Sequence, residues 1–342
     1  MTFSCTSHRS LALWLFFCCG CIFVMALIGA ITRLTESGLS ITDWNPIMGA
    51  IPPLSEAAWQ KAFEAYQKIP QYQILHRDMT LAAFKDIFFW EWVHRLWGRI
   101  IGIFFAIPLI FFLVRRAIDR KLALRLLAIL ALGALQGFVG WYMVKSGLEV
   151  RTSVSPYRLA LHLGFALFIY ALMLHTALRL WTIPRLAIER KYIKMGYFSL
   201  ACLIVTMVWG ALVAGLHGGE AYNTWPLMDE RLLPTAAFTL LPKWLNFFEN
   251  LALVQFIHRW LAPFTAILIL FWAHSLRQSN AKTLWPNLLA MMAVVQIALG
   301  LSTLLTHVNI ILAASHQAGA ISLLTLVLIN LWRLKPLSEP LP

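Results

Sequence analysis

Long apolar stretches alternate with short polar segments along the whole chain. Eight of these stretches reach about 20 residues, the length that a helix needs to cross roughly 30 Å of hydrocarbon. The first begins at Leu11 and runs through Ile31 without a convincing cleavage site, so it is interpreted as a membrane helix and not as a signal peptide. The predicted spans are residues 11–32, 94–114, 122–144, 157–181, 195–216, 250–273, 284–305 and 309–332.

The composition indicates a protein that lives in a bilayer. Of its 342 residues, 60% are hydrophobic and 13% are charged, and the mean hydropathy is +0.72. Soluble domains do not need such values, so the sequence predicts an all-α polytopic membrane protein. The net charge of +13 would suggest nucleic acid in a soluble protein, but here the basic residues gather at helix ends. Membrane lipid is therefore expected as a partner, and nucleic acid is not.

Lys and Arg are concentrated in links that would share one side of the membrane. The positive-inside bias makes these links cytoplasmic and predicts both termini inside. The link from Thr306 to Asn309 carries neither residue type and is predicted outside. Nothing ahead of helix 1 resembles a transit peptide, which favours a bacterial inner membrane over an organelle. The inner basic residues are Arg9, Arg115, Arg116, Arg120, Lys121, Arg125, Arg179, Arg185, Arg190, Lys191, Lys194, Arg277, Lys282, Arg333 and Lys335.

Helices 1–4 and helices 5–8 share short motifs in the same order. Because each half has an even number of spans, both halves enter the membrane in the same sense. The sequence therefore predicts two four-helix bundles related by a pseudo-twofold axis: residues 1–182, with a long outer loop at 33–90, and residues 183–342. The matched motifs are Gly29-Ala30 with Gly210-Ala211, Glu91-Trp-Val-His-Arg95 with Gln255-Phe-Ile-His-Arg259, Gln136-x-x-x-Gly140 with Gln296-x-x-x-Gly300, and Ala160-Leu-His162 with Ala314-Ser-His316.

Four histidines occupy repeat-related positions: His94, His162, His258 and His316. All four are predicted at one depth toward the outer side, so the two in each half can face one another across a bundle core. That is the geometry of a haem iron held by two imidazoles. The alternative is that each histidine only bonds a neighbouring helix. Zinc or copper would need a third or fourth ligand, and these helices offer none at suitable spacing.

Glu91 is an acid at membrane depth, three residues before His94 on the same helix face. Placing an acid at this depth costs free energy, so such a residue usually has a function or a polar partner. The alternative is that it favours the start of helix 2 through the helix dipole. The matching residue in the second half is Gln255. The two sites share the same candidate ligands, but only the first has a carboxylate. This difference suggests that one half carries out the reaction and the other half supports it.

Four arginines are predicted near the outer ends of the bundles, where they can pair with haem propionates. The alternative is interfacial snorkelling. They are Arg33, Arg95, Arg99 and Arg259.

The first outer loop is long for a link without function. Trp59, Phe63 and Tyr66 are spaced like one face of an interfacial helix, and a second such helix is predicted at 81–90. The loop is interpreted as a lid.

Several motifs together closely resemble the haem A synthase family, and the likeness covers nearly the whole chain. The outer-loop cysteine pair of one branch of that family is absent, so the chain is similar to the proteobacterial and mitochondrial branch. The motifs are Arg33-Leu-Thr-Glu-Ser-Gly-Leu-Ser-Ile, Asp43-Trp-Asn-Pro-Ile-Met-Gly, Ile51-Pro-Pro-Leu, Phe84-Lys-Asp-Ile-Phe-Phe-Trp-Glu-Trp-Val-His-Arg-Leu-Trp-Gly-Arg and Tyr222-Asn-Thr-Trp-Pro-Leu-Met.

The resemblance implies a haem B cofactor held by His258 and His316, and a haem O substrate held by His94 and His162. It also implies that Glu91 is needed for chemistry. The reaction implied is oxidation of a ring methyl of haem O, through an alcohol, to the formyl group of haem A, which terminal oxidases use. Water and molecular oxygen both stay open as the source of the formyl oxygen.

If the substrate iron keeps both histidines, electrons must be withdrawn from the porphyrin edge, with haem B as an electron relay. Glu91 can then stabilise positive charge or accept a proton. Haem O would arrive from lipid or from the enzyme that produces it, and an electron carrier would complete the reaction. The sequence leaves a homo-oligomer open.

Two other classes compete with this reading. A dihaem b-type membrane electron-transfer protein needs haems at both depths, commonly through two histidines on one helix, whereas here the four lie at one depth. A haem carrier without catalysis is opposed by Glu91 and by the asymmetry between the halves.

Overall fold

The computed structural model describes residues 5–44, 48–181, 183–279 and 283–337. Residues 45–47 of the Asp43 motif, Lys282 and the predicted boundary residue 182 lie outside the described residues. The helices are α1 (Cys5–Leu34), α2 (Glu56–Tyr66), α3 (Pro70–Leu75), α4 (Leu81–Val114), α5 (Arg120–Leu148), α6 (Pro156–Leu180), α7 (Arg190–Gly215), α8 (Asn246–Glu249), α9 (Leu251–Gln278), α10 (Leu284–Leu305) and α11 (Ile310–Arg333). The strands are β1 (Leu186–Ile188) and β2 (Leu334–Pro336).

Eight of the described helices are long and apolar enough to cross a membrane, which confirms the predicted all-α polytopic class. A helix satisfies its backbone hydrogen bonds internally, as hydrocarbon requires. Polar caps begin several of them: the side chains of Thr80, Asp119 and Asn250 each accept a backbone N–H of the first turn. The eight helices are α1, α4, α5, α6, α7, α9, α10 and α11.

The start of the second membrane helix is the largest departure from the predicted spans. It was expected at residue 94, with a separate interfacial helix at 81–90, but α4 is one helix from Leu81 to Val114. The separate interfacial helix is therefore wrong. Thr80 caps α4, and the sequence holds no Gly or Pro between Leu81 and His94 to break it. A hydropathy window marks where the hydrocarbon begins, whereas a helix ends only where its backbone bonding ends.

The chain divides into two compact units, residues 1–173 and 174–342, and the boundary falls inside α6. In the first unit, α4 packs against α1, α2 and α5. The outer loop has a small core of its own, in which Phe63, Tyr66 and Ile69 pack with Phe84 and Phe88 of α4. The interfacial helix predicted from Trp59, Phe63 and Tyr66 is α2.

In the second unit, α7 packs against α9 and α11, and α10 packs against both α9 and α11. Trp272 of α9 is fully buried and donates from its indole nitrogen to the Tyr192 carbonyl at 2.9 Å. Its ring lies where a Cβ on Gly196 would be, so α7 and α9 approach closely at that point. Strand β1 pairs with β2 in parallel, which joins the segment before α7 to the segment after α11. The pseudo-twofold relation between the two halves stays a prediction.

Candidate functional site: four histidines, each against a glycine

Each of the four predicted histidines packs against a glycine on another helix. A Cβ built on any of these glycines would lie 2.9–3.0 Å from the Cε1 atom of the imidazole. Carbon atoms pack comfortably at about 3.5–4.0 Å, so only glycine leaves room for these rings. The pairs are Gly29 of α1 with His94 of α4, Gly140 of α5 with His162 of α6, Gly210 of α7 with His258 of α9, and Gly300 of α10 with His316 of α11.

The ring nitrogens have partners that orient the imidazoles. The side-chain nitrogen of Gln136 lies 3.1 Å from Nδ1 of His162 and donates to the carbonyl of the same residue at 2.9 Å. Gln296 contacts His316 in the same way, at 3.1 and 3.0 Å. With the amide nitrogen on Nδ1, the proton of the neutral imidazole lies on Nε2; for Nε2 to bind a metal, the amide must turn over so that its oxygen accepts a proton from Nδ1.

His258 and His94 have different surroundings. Nδ1 of His258 lies 3.1 Å from the carbonyl of Thr206. Nδ1 of His94 is buried, and no residue that the structure describes forms a hydrogen bond with it. Three of the four rings are therefore anchored at Nδ1, and the ring of His94 is not.

Each unit brings two of the histidines together. His94 lies within electrostatic range of His162, and His258 lies within electrostatic range of His316. All four side chains are half-buried. Within the described residues, no three His, Cys, Asp or Glu side chains form a group that would hold a metal ion by themselves. Two imidazoles suit an iron whose equatorial ligands come from a porphyrin.

Two orphaned atoms in the structure also fit such an iron. The side-chain oxygens of Gln136 and Gln296 are buried without a hydrogen-bond partner among the described residues. An imidazole that binds iron through Nε2 carries its proton on Nδ1, and the side-chain amide oxygen can accept that proton once the amide turns over. The glycine contacts, the paired imidazoles and the spare amide oxygens therefore all fit haem.

Glu91 is buried, with 3% of its surface exposed, and both of its oxygens are hydrogen-bonded. One oxygen accepts from the Ser40 hydroxyl and the Ile41 backbone, both at 2.8 Å. The other accepts from Arg95 at 2.6 and 3.0 Å. Arg95 also donates to the carbonyls of Ile41 and Asp43. The carboxylate therefore joins α4 to the segment that follows α1.

The helix-dipole reading of Glu91 is wrong. The dipole acts within the first turn of a helix. Since α4 begins at Leu81, Glu91 lies about three turns inside it.

The second unit has the same arrangement with an amide in place of the acid. Gln255 donates to the carbonyl of Ala221 at 2.7 Å. Arg259 donates to the carbonyls of Tyr222 and Thr224 at 2.6 and 2.8 Å. Both pairs hold the segment after the preceding helix against the histidine-bearing helix. What differs between the units is the negative charge of Glu91.

The arginines proposed for propionates have protein partners. Arg95 and Arg259 donate to loop carbonyls as described, and Arg33 and Arg99 also have interaction partners. Contact with propionates stays a prediction for all four. Four residues that contact the histidines or Glu91 were not predicted from the sequence: Gln136, Gln296, Ser40 and Thr206. The Gln-x-x-x-Gly spacing was the available signal for the two glutamines, because residues four apart share a helix face.

The fold and the site define a class: an all-α polytopic membrane protein with a pair of imidazoles in each of two compact units. Within that class, the chain belongs to the COX15-CtaA family of cytochrome oxidase assembly proteins, whose model matches residues 12–328.

Curated relatives agree with this family over almost the full length. The chain is 50% identical to a protein named "Heme A synthase" from Rhodospirillum centenum, over 98% of this chain and 91% of the relative. It is 46% identical to proteins of the same name from Nitrosomonas eutropha and Nitrosospira multiformis, over 94% of this chain in both cases and 93% and 92% of those relatives.

Proposed function

We infer that this protein is a haem A synthase, an oxidoreductase that converts a ring methyl of haem O into the formyl group of haem A for cytochrome oxidase. The observation that carries this conclusion is the coverage of the similarity. Relatives with that name match 94–98% of the chain, a length that spans the positions of both histidine pairs. The whole molecule is therefore comparable, and not only a shared membrane segment.

The two sites are proposed to hold different haems. His258 and His316 bind a resident haem B, and His94 and His162 bind the substrate haem O. Two differences between the pairs support this assignment. Both rings of the C-terminal pair have a hydrogen-bond partner at Nδ1. The N-terminal half carries the acid Glu91 where the C-terminal half has Gln255. Haem B supplies one-electron transfer when bound.

Glu91 is proposed to act as a fixed negative charge beside the substrate. Its oxygens already accept from Ser40, Ile41 and Arg95, so accepting a proton would require one of these bonds to break. Stabilising positive charge on an electron-poor porphyrin requires no such rearrangement. The fixed-charge role is therefore favoured over the proton-acceptor role.

The proposed location is a bacterial inner membrane, with both termini in the cytoplasm and the haem sites toward the periplasm. The support is the concentration of Lys and Arg in the links α4–α5 and α6–α7 and after α9 and α11. Haem O, an electron carrier and the enzyme that makes haem O are the proposed partners, and a homo-oligomer stays open.

The test is pigment analysis of membranes from cells that make this protein together with haem O. We expect haem A in chromatograms of the extracted haems. The matched control is the same strain with His94→Ala, which should accumulate haem O instead. Membranes with additional haem B and no haem A would contradict the synthase and support an electron-transfer protein.

A further inference from the structure

Three of the four candidate iron ligands are held at Nδ1, and the exception belongs to the substrate pair. His258 is held by the Thr206 carbonyl, and His162 and His316 are held by glutamine amides. Nδ1 of His94 is buried, and no residue in the described part of the chain forms a hydrogen bond with it. The halves therefore share their ligands but differ in how firmly one ligand is fixed.

We propose that His94 is the exchangeable ligand of the N-terminal site: haem enters and leaves this site by forming and breaking the bond to His94, while His162 stays in place. The inference rests on the proposed function, since it treats the haem of this site as a substrate that must be released. A resident haem needs two fixed ligands, whereas a substrate needs one bond that opens readily.

The physical basis is the effect of a second hydrogen bond on a ligating imidazole. A partner that accepts the Nδ1 proton fixes the ring orientation and makes Nε2 a stronger ligand, and losing such a partner costs about 10- to 100-fold in metal affinity. The Thr206 carbonyl is such a partner, and Gln136 and Gln296 become such partners when their amides present the oxygen in place of the nitrogen. When His94 binds iron through Nε2, its Nδ1 carries a proton in a buried place without an acceptor. The bond to His94 is therefore the weakest of the four.

A difference in sequence accompanies this difference between the two halves. In the second unit, the hydroxyl of Thr206 bonds the Cys202 carbonyl one turn earlier and the hydroxyl of Thr265, both at 2.8 Å. A threonine that bonds the preceding turn often bends a helix. The carbonyl of this threonine, Thr206, lies on Nδ1 of His258.

The corresponding residues in the first unit lack hydroxyls. Aligning Gly29 with Gly210 places Met25 opposite Thr206, and aligning His94 with His258 places Ile101 opposite Thr265. The terminal methyl of Met25 instead lies against Gly98, 3.4 Å from where a Cβ would be. An apolar contact thus replaces the polar pair that accompanies the anchor of His258.

Carbon monoxide tests the proposal, because it binds ferrous haem only where an axial ligand gives way. Purified protein loaded with haem O is reduced with dithionite and mixed with carbon monoxide. We expect the N-terminal haem to bind the gas and the C-terminal haem to resist it. Protein from cells without haem O supplies the C-terminal site alone, and haem content per chain checks the loading of both preparations.

Ligand variants identify the histidine that leaves. Carbon monoxide should replace His94, so resonance Raman bands of the photolysed adduct, which report the iron–histidine bond, should match between the wild type and His94→Ala. The His162→Ala variant should give different bands. Wild-type bands that match His162→Ala, or a C-terminal haem that binds the gas as fast as the N-terminal haem, overturn the proposal.

The two glutamines provide a matched pair of variants. Gln296→Leu removes the anchor of His316 and should give the C-terminal haem at least about 10-fold more carbon monoxide binding. Gln136→Leu leaves the N-terminal pair with no anchor and should lower haem O retention by about the same factor. Haem retained in the unaltered site of each variant shows that the protein has folded. If Gln296→Leu retains its haem without gaining reactivity, anchoring at Nδ1 does not control exchange.

Failure of this inference is distinguishable from failure of the proposed function. Haem A production with equal carbon monoxide reactivity at both sites leaves the synthase intact and removes only the role of His94. A chain that neither retains haem O nor makes haem A contradicts both.

Discussion

At the scale of single residues, the site depends on two features: the missing side chain of four glycines and the negative charge of Glu91. A missing Cβ leaves room for each imidazole. A single carboxylate distinguishes the Glu91–Arg95 pair from the Gln255–Arg259 pair of the second unit. These features give substitutions that change one property at a time.

Glu91→Gln removes the negative charge and keeps the shape. Gln255 shows that an amide is accommodated at the equivalent place in the second unit. We expect the variant to fold, hold haem B and bind haem O, while haem A formation falls by at least about 10²-fold, the loss associated with removing a positioned charge. Chromatography of the haems should show haem O or the alcohol intermediate.

The control for this variant is Ser40→Ala, which removes one of the bonds to Glu91 but leaves its charge and its contact with Arg95. We expect a much smaller loss of haem A. Near-normal haem A in Glu91→Gln would mean that the carboxylate only joins α4 to the preceding segment.

Gly140→Ala tests the close contact with His162. The new Cβ would meet the ring at 2.9 Å and force it to move, so haem A formation should fall by at least about 10-fold as the ligand loses its geometry. Gly137 lies on the same helix with nothing within 4 Å of a Cβ, and Gly137→Ala should behave as the wild type. Equal effects of the two substitutions, measured as haem A per chain, would show that helix propensity and not the contact is responsible.

At the scale of elements, the outer loop is built around a buried tyrosine. Tyr66 is fully buried; its hydroxyl donates to Gln71 at 3.1 Å and lies 2.7 Å from Nδ1 of His76. His76 in turn contacts Glu36, in the segment after α1. Burial, with the carboxylates of Glu36 and Glu91 nearby, raises the pKa of Tyr66 above its ordinary value. The hydroxyl therefore stays protonated at physiological pH.

Tyr66→Phe should loosen this loop without unfolding the membrane helices. The substitution removes the hydroxyl partner of the Gln71 side-chain oxygen and of His76 Nδ1, a loss of about 1–3 kcal/mol. We expect faster limited proteolysis of the loop in membranes. Tyr72→Phe is the control, because its hydroxyl bonds an exposed carbonyl of Arg77. If the loop resists proteolysis equally in both variants, the hydrogen bonds of Tyr66 to Gln71 and His76 are not its main stabilising contacts.

The pH dependence follows from the raised pKa of Tyr66. The unfolded side chain titrates near pH 10, below the folded value, so the stabilisation is complete below about pH 10 and is lost as the pH rises further. Wild-type loop protection should decline at alkaline pH, and the decline should be weaker in Tyr66→Phe. Proteolysis rates at several pH values measure both.

At the scale of the whole molecule, the two compact units predict separable defects. His258→Ala or His316→Ala should remove most low-spin haem B, since loss of one axial ligand leaves the iron under-coordinated. His94→Ala or His162→Ala should leave haem B largely intact and abolish haem A. Absorption spectra and extracted haems of purified protein distinguish these results. Equal loss of haem B in all four variants would show that the sites are not independent.

The sequence predicted the membrane spans well because hydrocarbon imposes a length on any helix that crosses it. The span 284–305 coincides with α10, and most others differ by a few residues. The start of α4 was missed since polar residues such as Lys85 and Glu91 mark the edge of the hydrocarbon but do not end a helix. The structure brings the predicted histidines together in pairs. The Gln-x-x-x-Gly spacing offered a signal for the two glutamine partners, but a backbone carbonyl such as that of Thr206 has no signature in the sequence.

The continuity of α4 has a consequence for protein engineering. Its first turns carry Phe84 and Phe88, which pack in the loop core, and the same helix continues without a break to His94. The outer-loop core and the proposed ligand His94 are therefore carried by one continuous helix, so neither can be exchanged independently of the other. A chimera that takes its outer loop from a relative should stay active only if residues 81–91 come from the same relative. A junction inside this stretch would pack the loop residues of one protein against the α4 residues of the other.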